Sequence, residues 1–346
     1  MLDLFMRHNE ANRMSAAQTF LNMLSMHSHT VNGLDITLET KLYSLQCLKN
    51  FIEECHAGFD QQTRQKFRER LLEIIVDTFQ SAQPNPAHAS VLSSKFGICV
   101  SDLVLRDFPQ FWNSLLDDLI TLLTSGNHTS AIALRCMCHV VEDCTDSDFN
   151  SKISTSRRND VLQGIQEISP SFLKKIHEFI DFQYKTFLAH NETTNKAEKS
   201  SSAMLIKEAL NMMSIFCHSQ GIPLELSFAS DSDFVVVYLH LLRETYDDIR
   251  MSAATCLKML CGRKLEAAMF YRLLELMPNF LKESQSASSS LSMVDQLSFH
   301  AILCETMSSL VTVNISNITN CKEIFNGASG SCKELALLRG FLSLLR

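Results

Sequence analysis

Glycine and proline are scarce, with 10 and 6 in a chain of 346 residues. These residues end helices and supply tight turns, so their scarcity argues against a turn-rich β-sandwich or barrel and favours long helices. Long hydrophobic runs are also missing. The longest strongly apolar stretch, 234–242, contains His240 and is about half the ~20 residues of a bilayer-spanning helix, so no membrane insertion is expected. At the start, Leu2, Leu4, Phe5 and Met6 give way to Arg7, His8 and Glu10, which is too short an apolar region for a secretory signal. The sequence has no GxxxxGK[ST], GxSxG, HExxH or GxGxxG motif. A phosphate-cradling loop, nucleophile elbow, zinc-protease helix or dinucleotide fold therefore has no foothold. The expectation is a protein that is not an enzyme, with no catalytic residue, cofactor or metal.

A basic excess is absent too. The net charge is −7, which argues against a general phosphate-gripping surface and favours partners that present basic patches. Twelve cysteines are scattered without the spacings of a disulfide framework, so a reducing compartment is expected. Cys136, Cys138, His139 and Cys144 include soft metal ligands. On a helix, however, Cys136 and Cys138 point to different sides, while Cys136 and Cys144 fall on an apolar stripe, so these thiols are expected in the core. His27 and His29 lack a carboxylate partner at fixed spacing and read as loop residues. The acceptor sequences at Asn127, Asn191, Asn314 and Asn317 are taken as chance.

What the sequence does contain is helical periodicity. Leu38, Leu42, Leu45, Leu48, Ile52 and Cys55 step by three or four residues, as do Phe67, Leu71, Ile75 and Phe79, and then Ile132, Cys136, Val140 and Cys144. The pattern predicts helices over 2–9, 11–27, 36–56, 61–82, 88–105, 109–124, 128–144, 157–189, 202–219, 231–244, 247–262, 265–283, 291–314 and 331–346. Asp107 with Pro109 is read as the start of the 109–124 helix, and Gly126 with Asn127 as a C-terminal glycine followed by a new cap. Second helices of successive pairs then begin near 89, 129, 202, 247 and 291. All intervals but one lie near the ~40–47 residues of HEAT units. The fold class expected is therefore all-α, a HEAT-repeat α-solenoid: a superhelix of antiparallel helix pairs. Polar stretches near 146–156, 190–201 and 284–290 are expected as loops, and the apolar residues of 333–346 suggest that residues 1–346 are part of a longer array.

One segment is distinctive. Arg106-Asp107-Phe108-Pro109-Gln110-Phe111-Trp112, followed by Asn113-Ser114-Leu115-Leu116-Asp117-Asp118-Leu119, resembles a signature of exportins of the importin-β superfamily. In that family an aromatic-Pro pair and a Trp open an early repeat, and Trp112 sits where an aromatic packs between successive repeats. Asn113 departs from the pattern, since many relatives carry a second Pro there. The segments 208–213 and 247–257 are similar to later B helices of the family, and the spacing is most like the exportin-five (HASTY) branch, with the tRNA exportin next. The resemblance covers roughly 2–314, and only 106–119 is distinctive.

The resemblance implies the N-terminal HEAT-repeat region of a nuclear export receptor that shuttles between nucleus and cytoplasm. Its implied partners are Ran-GTP, export cargo (structured RNA such as a microRNA precursor or tRNA, or protein) and nuclear pore proteins. Ran contacts are expected on B helices, with Glu39 and Lys41 on one and Ser94, Lys95 and Asp102 on the polar face of the next. Arg157 and Arg158 are weaker candidates for RNA phosphates. The alternative in a different class is a static HEAT scaffold for a cytoplasmic or nuclear complex.

Overall fold

A computed structural model describes residues 10–25, 37–80, 85–145, 153–190, 195–219, 222, 234–242, 244, 246–265, 270, 273 and 293–314. It divides into two compact units, Met1–Ile168 and Ser169–Arg346. Every regular element among the described residues is helical. The fold class is the all-α HEAT-repeat solenoid type.

The first unit contains α1 (Glu10–Ser25), α2 (Leu38–Glu54), a short 3-10 turn at His56–Gly58, α3 (Gln61–Gln80), α4 (Pro86–Asp107), α5 (Leu115–Thr124), α6 (Asn127–Thr145) and the start of α7 (Thr155–Ala189). Local chemistry sets the ends of these helices. The Thr37 hydroxyl accepts from the Thr40 amide at 3.3 Å ahead of α2. The Asn85 side chain accepts from the Ala87 amide at 3.0 Å, and Pro86 occupies the first turn of α4, where an amide donor is not needed. Between α5 and α6, Gly126 adopts φ +147°, which an L side chain disfavours, and its carbonyl accepts from the Ser130 amide at 2.8 Å.

The helices pair as α1/α2, α3/α4 and α5/α6, and the second members α2, α4 and α6 stack on one another in that order. With a neighbour on each side, α4 buries Leu92, Phe96, Cys99, Val100, Leu103 and Val104. Burial of each large apolar side chain is worth roughly 1.5–3 kcal/mol, so the B-helix stack carries much of this unit's stability. In the second unit, α8 (Lys196–His218), α10 (Asp247–Cys261) and α11 (Met293–Val313) stack likewise, with α9 (Phe234–Leu241) against α10. Phe172 on α7 packs its ring 6.3 Å from that of Phe216 on α8.

Three expectations change. The helix placed at 109–124 begins at Leu115, and Asp107 closes α4 instead of opening the next helix. Its carboxylate is drawn into a buried cluster of cations, and the chain takes an irregular course through a cis Phe108–Pro109 peptide to Ser114. The polar stretch at 190–201 is helical from Lys196, because Lys196, Ala197, Glu198 and Lys199 are good helix formers and Glu198 lies in the first turn. The stretch at 146–156 likewise ends in the first residues of α7. The helices expected at 2–9 and 331–346, most of 265–283, the loop at 284–290, and His27 and His29 lie outside the described residues.

Candidate functional site

The distinctive segment lies where α3, α4, α5 and α7 approach one another in the first unit. Asp107 is fully buried and faces three basic side chains: His56 Nε2 at 2.9 Å, Arg64 Nη1 at 3.2 Å and Arg68 Nη1 at 3.8 Å. A buried carboxylate is tolerable only with such compensation. The two arginines also bind backbone: Arg64 Nε donates to the Phe59 carbonyl at 2.8 Å, and Arg68 Nη1 to the Phe111 carbonyl at 3.1 Å. Their guanidinium planes cover aromatic rings, Arg64 over Phe111 at 4.4 Å and Arg68 over Trp112 at 4.8 Å. Burial is the first influence on the Arg68 guanidinium and lowers its pKa, while Asp107 opposes the shift.

Trp112 is the bolt of this arrangement. Its indole is buried, and Nε1 donates to Asp118 Oδ2 at 2.7 Å, an oxygen that also accepts from the Ser114 hydroxyl at 2.9 Å. The Phe108 ring fills a space that Gly164 on α7 leaves open; a Cβ there would overlap it. The segment 106–119 is thus a staple between consecutive helix pairs, with Asp107 buried inside it and Asp117 exposed on α5.

An exposed polar face lies on the B helices α2 and α4. On α2, Glu39, Tyr43, Gln46 and Asn50 are exposed at spacings of four, three and four, which puts them on one stripe. On α4, His88 and Val91 are exposed, with Ser94 and Lys95 half-buried one turn on. Glu39 and His88 interact across the α2–α4 seam, and the Glu39 carboxyl is held below its ordinary range first by the Thr37 hydroxyl and more weakly by His88. Arg135 of α6 donates to the Ser94 hydroxyl at 2.6 Å, joining α6 to the same surface.

Among the expected contacts, Glu39, Ser94 and Lys95 lie on this face. Lys41 does not share the Glu39 stripe; it is half-buried on another side of α2, and burial lowers its pKa. Asp102 is not on a polar face, because α4 is enclosed along its C-terminal half: Asp102 is fully buried, with Oδ1 3.8 Å from Arg106 Nη1. Arg157 turns back onto its own chain. Its Nε donates to the Leu105 carbonyl at 2.8 Å, and its other nitrogens bind the Phe108 carbonyl and Gln110, satisfying acceptors at the end of α4. Arg158 beside it is half-buried. The thiols of the 136–144 segment behave as core: burial raises Cys136 strongly and Cys144 to about 12. Asn314 is buried, accepting from the Leu265 amide at 2.7 Å and donating to the Arg263 carbonyl at 3.1 Å, so its amide ties the end of α11 to the segment after α10.

Residue-type reasoning missed Tyr43, Val91 and His88. Their signal is the i, i+4 step from Glu39 and the matching position on α4, visible once α2 and α4 are known to be neighbours.

Comparison with known proteins bears on this arrangement. A family model described as Exportin 1-like protein matches residues 89–257, which run from α4 through α10 and include the whole staple. Over this span the chain is similar to exportins of the importin-β superfamily. The exportin-like chain is 21% identical over 242 residues to Protein HASTY 1 of Arabidopsis thaliana, covering 66% of this chain and 19% of that protein. It is also 21% identical over 291 residues to Exportin-5 of Dictyostelium discoideum, covering 83% of this chain and 24% of the relative. The exportin-like chain thus spans about a fifth to a quarter of the length of these relatives.

Proposed function

We propose that this chain is the N-terminal repeat region of a nuclear export receptor. In this reading the exposed B-helix face of the first unit, carrying Glu39, Tyr43, His88, Val91, Ser94 and Lys95, contributes to binding of Ran in its GTP form. The observation that carries the reading is the Exportin 1-like match across 89–257, which contains the 106–119 staple. The arrangement of that face supports it: exposed tyrosine and valine supply apolar contact, and the charges around them supply selectivity. The receptor performs no chemistry. It couples two ligands, so Ran-GTP and cargo each raise the other's affinity by the same factor. Cargo, a structured RNA or a protein, and nuclear pore proteins are the remaining partners, and the receptor shuttles between nucleus and cytoplasm. Arg157 and Arg158 remain the weaker candidates for an RNA phosphate, and Arg157 is engaged with its own backbone.

The test is retention of Ran by the immobilised chain. Ran loaded with a non-hydrolysable GTP analogue should be retained and Ran-GDP should not, and Glu39→Lys together with Tyr43→Ala should weaken retention at least several-fold. Equal retention of the two nucleotide states, or of neither, overturns the reading and favours a static scaffold.

A further inference from the structure

On the A-helix side of the first unit, away from the B-helix face, α3 and α5 flank an open groove of about 560 Å³. Leu72 and Val76 from α3 and Leu122 from α5 make its floor. The inward face of α3 is occupied elsewhere: Phe67, Leu71, Ile74 and Ile75 are in the core, so Leu72 and Val76 are the apolar residues that α3 leaves half-exposed toward the groove. Glu69, Glu73 and Asp77 rise from the same side of α3 at four-residue intervals, and all three are exposed. Asp118 stands opposite on α5, fixed by the Trp112 indole and the Ser114 hydroxyl. Four carboxylates therefore surround three apolar side chains. Local cations do little to balance them. Arg70 reaches Glu73 at 3.0 Å on an exposed helix surface, and Arg68, which binds Asp107 and the Phe111 carbonyl, acts on Asp118 and Glu69 only more weakly than on Asp107, leaving Asp77 and most of the rim to solvent.

We propose that this groove docks a cationic amphipathic segment of a partner protein, with an apolar side chain on Leu72, Val76 and Leu122 and flanking Lys or Arg side chains against Glu69, Glu73, Asp77 and Asp118. Charge complementarity selects this occupant. Nucleic acid is repelled by the carboxylates, and an uncharged apolar segment would cover part of the rim without replacing its water. The volume falls within the ~300–1,000 Å³ range of ligand clefts, enough for a few side chains and too little for a folded domain. The site shares no residue with the proposed Ran surface, so either proposal can fail without the other.

The experiment is fluorescence anisotropy of the full chain with a short labelled peptide carrying two leucines flanked by lysines and arginines. Saturable binding that weakens as salt rises is expected. The double variant Glu73→Lys/Asp77→Lys, both at exposed positions, should bind the peptide at least tenfold more weakly while keeping the wild-type circular dichroism melt. A peptide with its leucines replaced by serine should also bind at least tenfold more weakly. The proposal is overturned if the wild type gives no saturable binding, if the double variant binds undiminished, or if the serine peptide binds equally well. The last outcome would indicate only diffuse attraction to an acidic surface.

Discussion

At the scale of single residues, the most consequential position described is Asp107. It is buried among His56, Arg64 and Arg68, and the arginines in turn lie over Phe111 and Trp112. Replacing it with Asn keeps the shape but removes the charge that makes two buried guanidinium groups tolerable. Breaking a buried pair in this way costs about 3–5 kcal/mol. Thermal denaturation followed by circular dichroism should therefore place Asp107→Asn well below the wild type. A melt within a degree or so of wild type would show that the arginines find other partners. Asp107 also shows why a charged residue of the 106–119 signature need not be a contact: it is buried and holds one helix pair to the next.

At the scale of elements, α7 contributes a titrating group to the second unit. Burial lowers the His177 imidazole to about 3, from the ~6.5 of an exposed histidine. The folded state thus refuses a proton that the unfolded chain accepts. Between pH ~6.5 and about 3 the unfolded state binds more protons, so stability from this group is complete above the window and falls as the pH drops through it. His177→Phe removes the titration. Comparing urea midpoints at pH 7 and pH 5, the wild type should lose more stability on acidification than the variant. Equal losses would assign acid sensitivity to other groups.

At the scale of the whole molecule, the stacking of α2 on α4 on α6, and separately of α8 on α10 on α11, means that each helix is held by its near neighbours. In such arrays stability is approximately a sum of local terms. Hydrogen exchange read by mass spectrometry should show the slowest amides at the centres of α4 and α10, which have packed B-helix neighbours on both sides. In Asp107→Asn, exchange should accelerate in α3, α4 and the 108–114 segment, while α10 stays near its wild-type rate. Uniform acceleration throughout would instead describe one fully cooperative unit.

The fold class was legible in the sequence because helix period and the scarcity of Gly and Pro are local properties. Leu45, Leu48 and Ile52 on α2, and Ile132, Cys136 and Val140 on α6, are buried where the three-and-four spacing places them. The Gly126 turn was legible for the same reason, since positive φ is a property of one residue. The role of Asp107 was not. Its partners His56 and Arg64 lie 51 and 43 residues away, so the local rule that Asp before Pro starts a helix was overridden by charges that only packing brings close. Asp102 and Arg157 differ similarly: Asp102 reads as a polar-face residue and Arg157 as a candidate for RNA phosphates, but Asp102 lies on a helix enclosed by neighbours and Arg157 is near carbonyls left open at the end of α4. The sequence alone determined that the chain is helical and which stripe of most helices is apolar, because those depend on neighbours three and four positions away. Only the tertiary structure decided which polar residues remained in water, because that depends on which helices stack and what each covers.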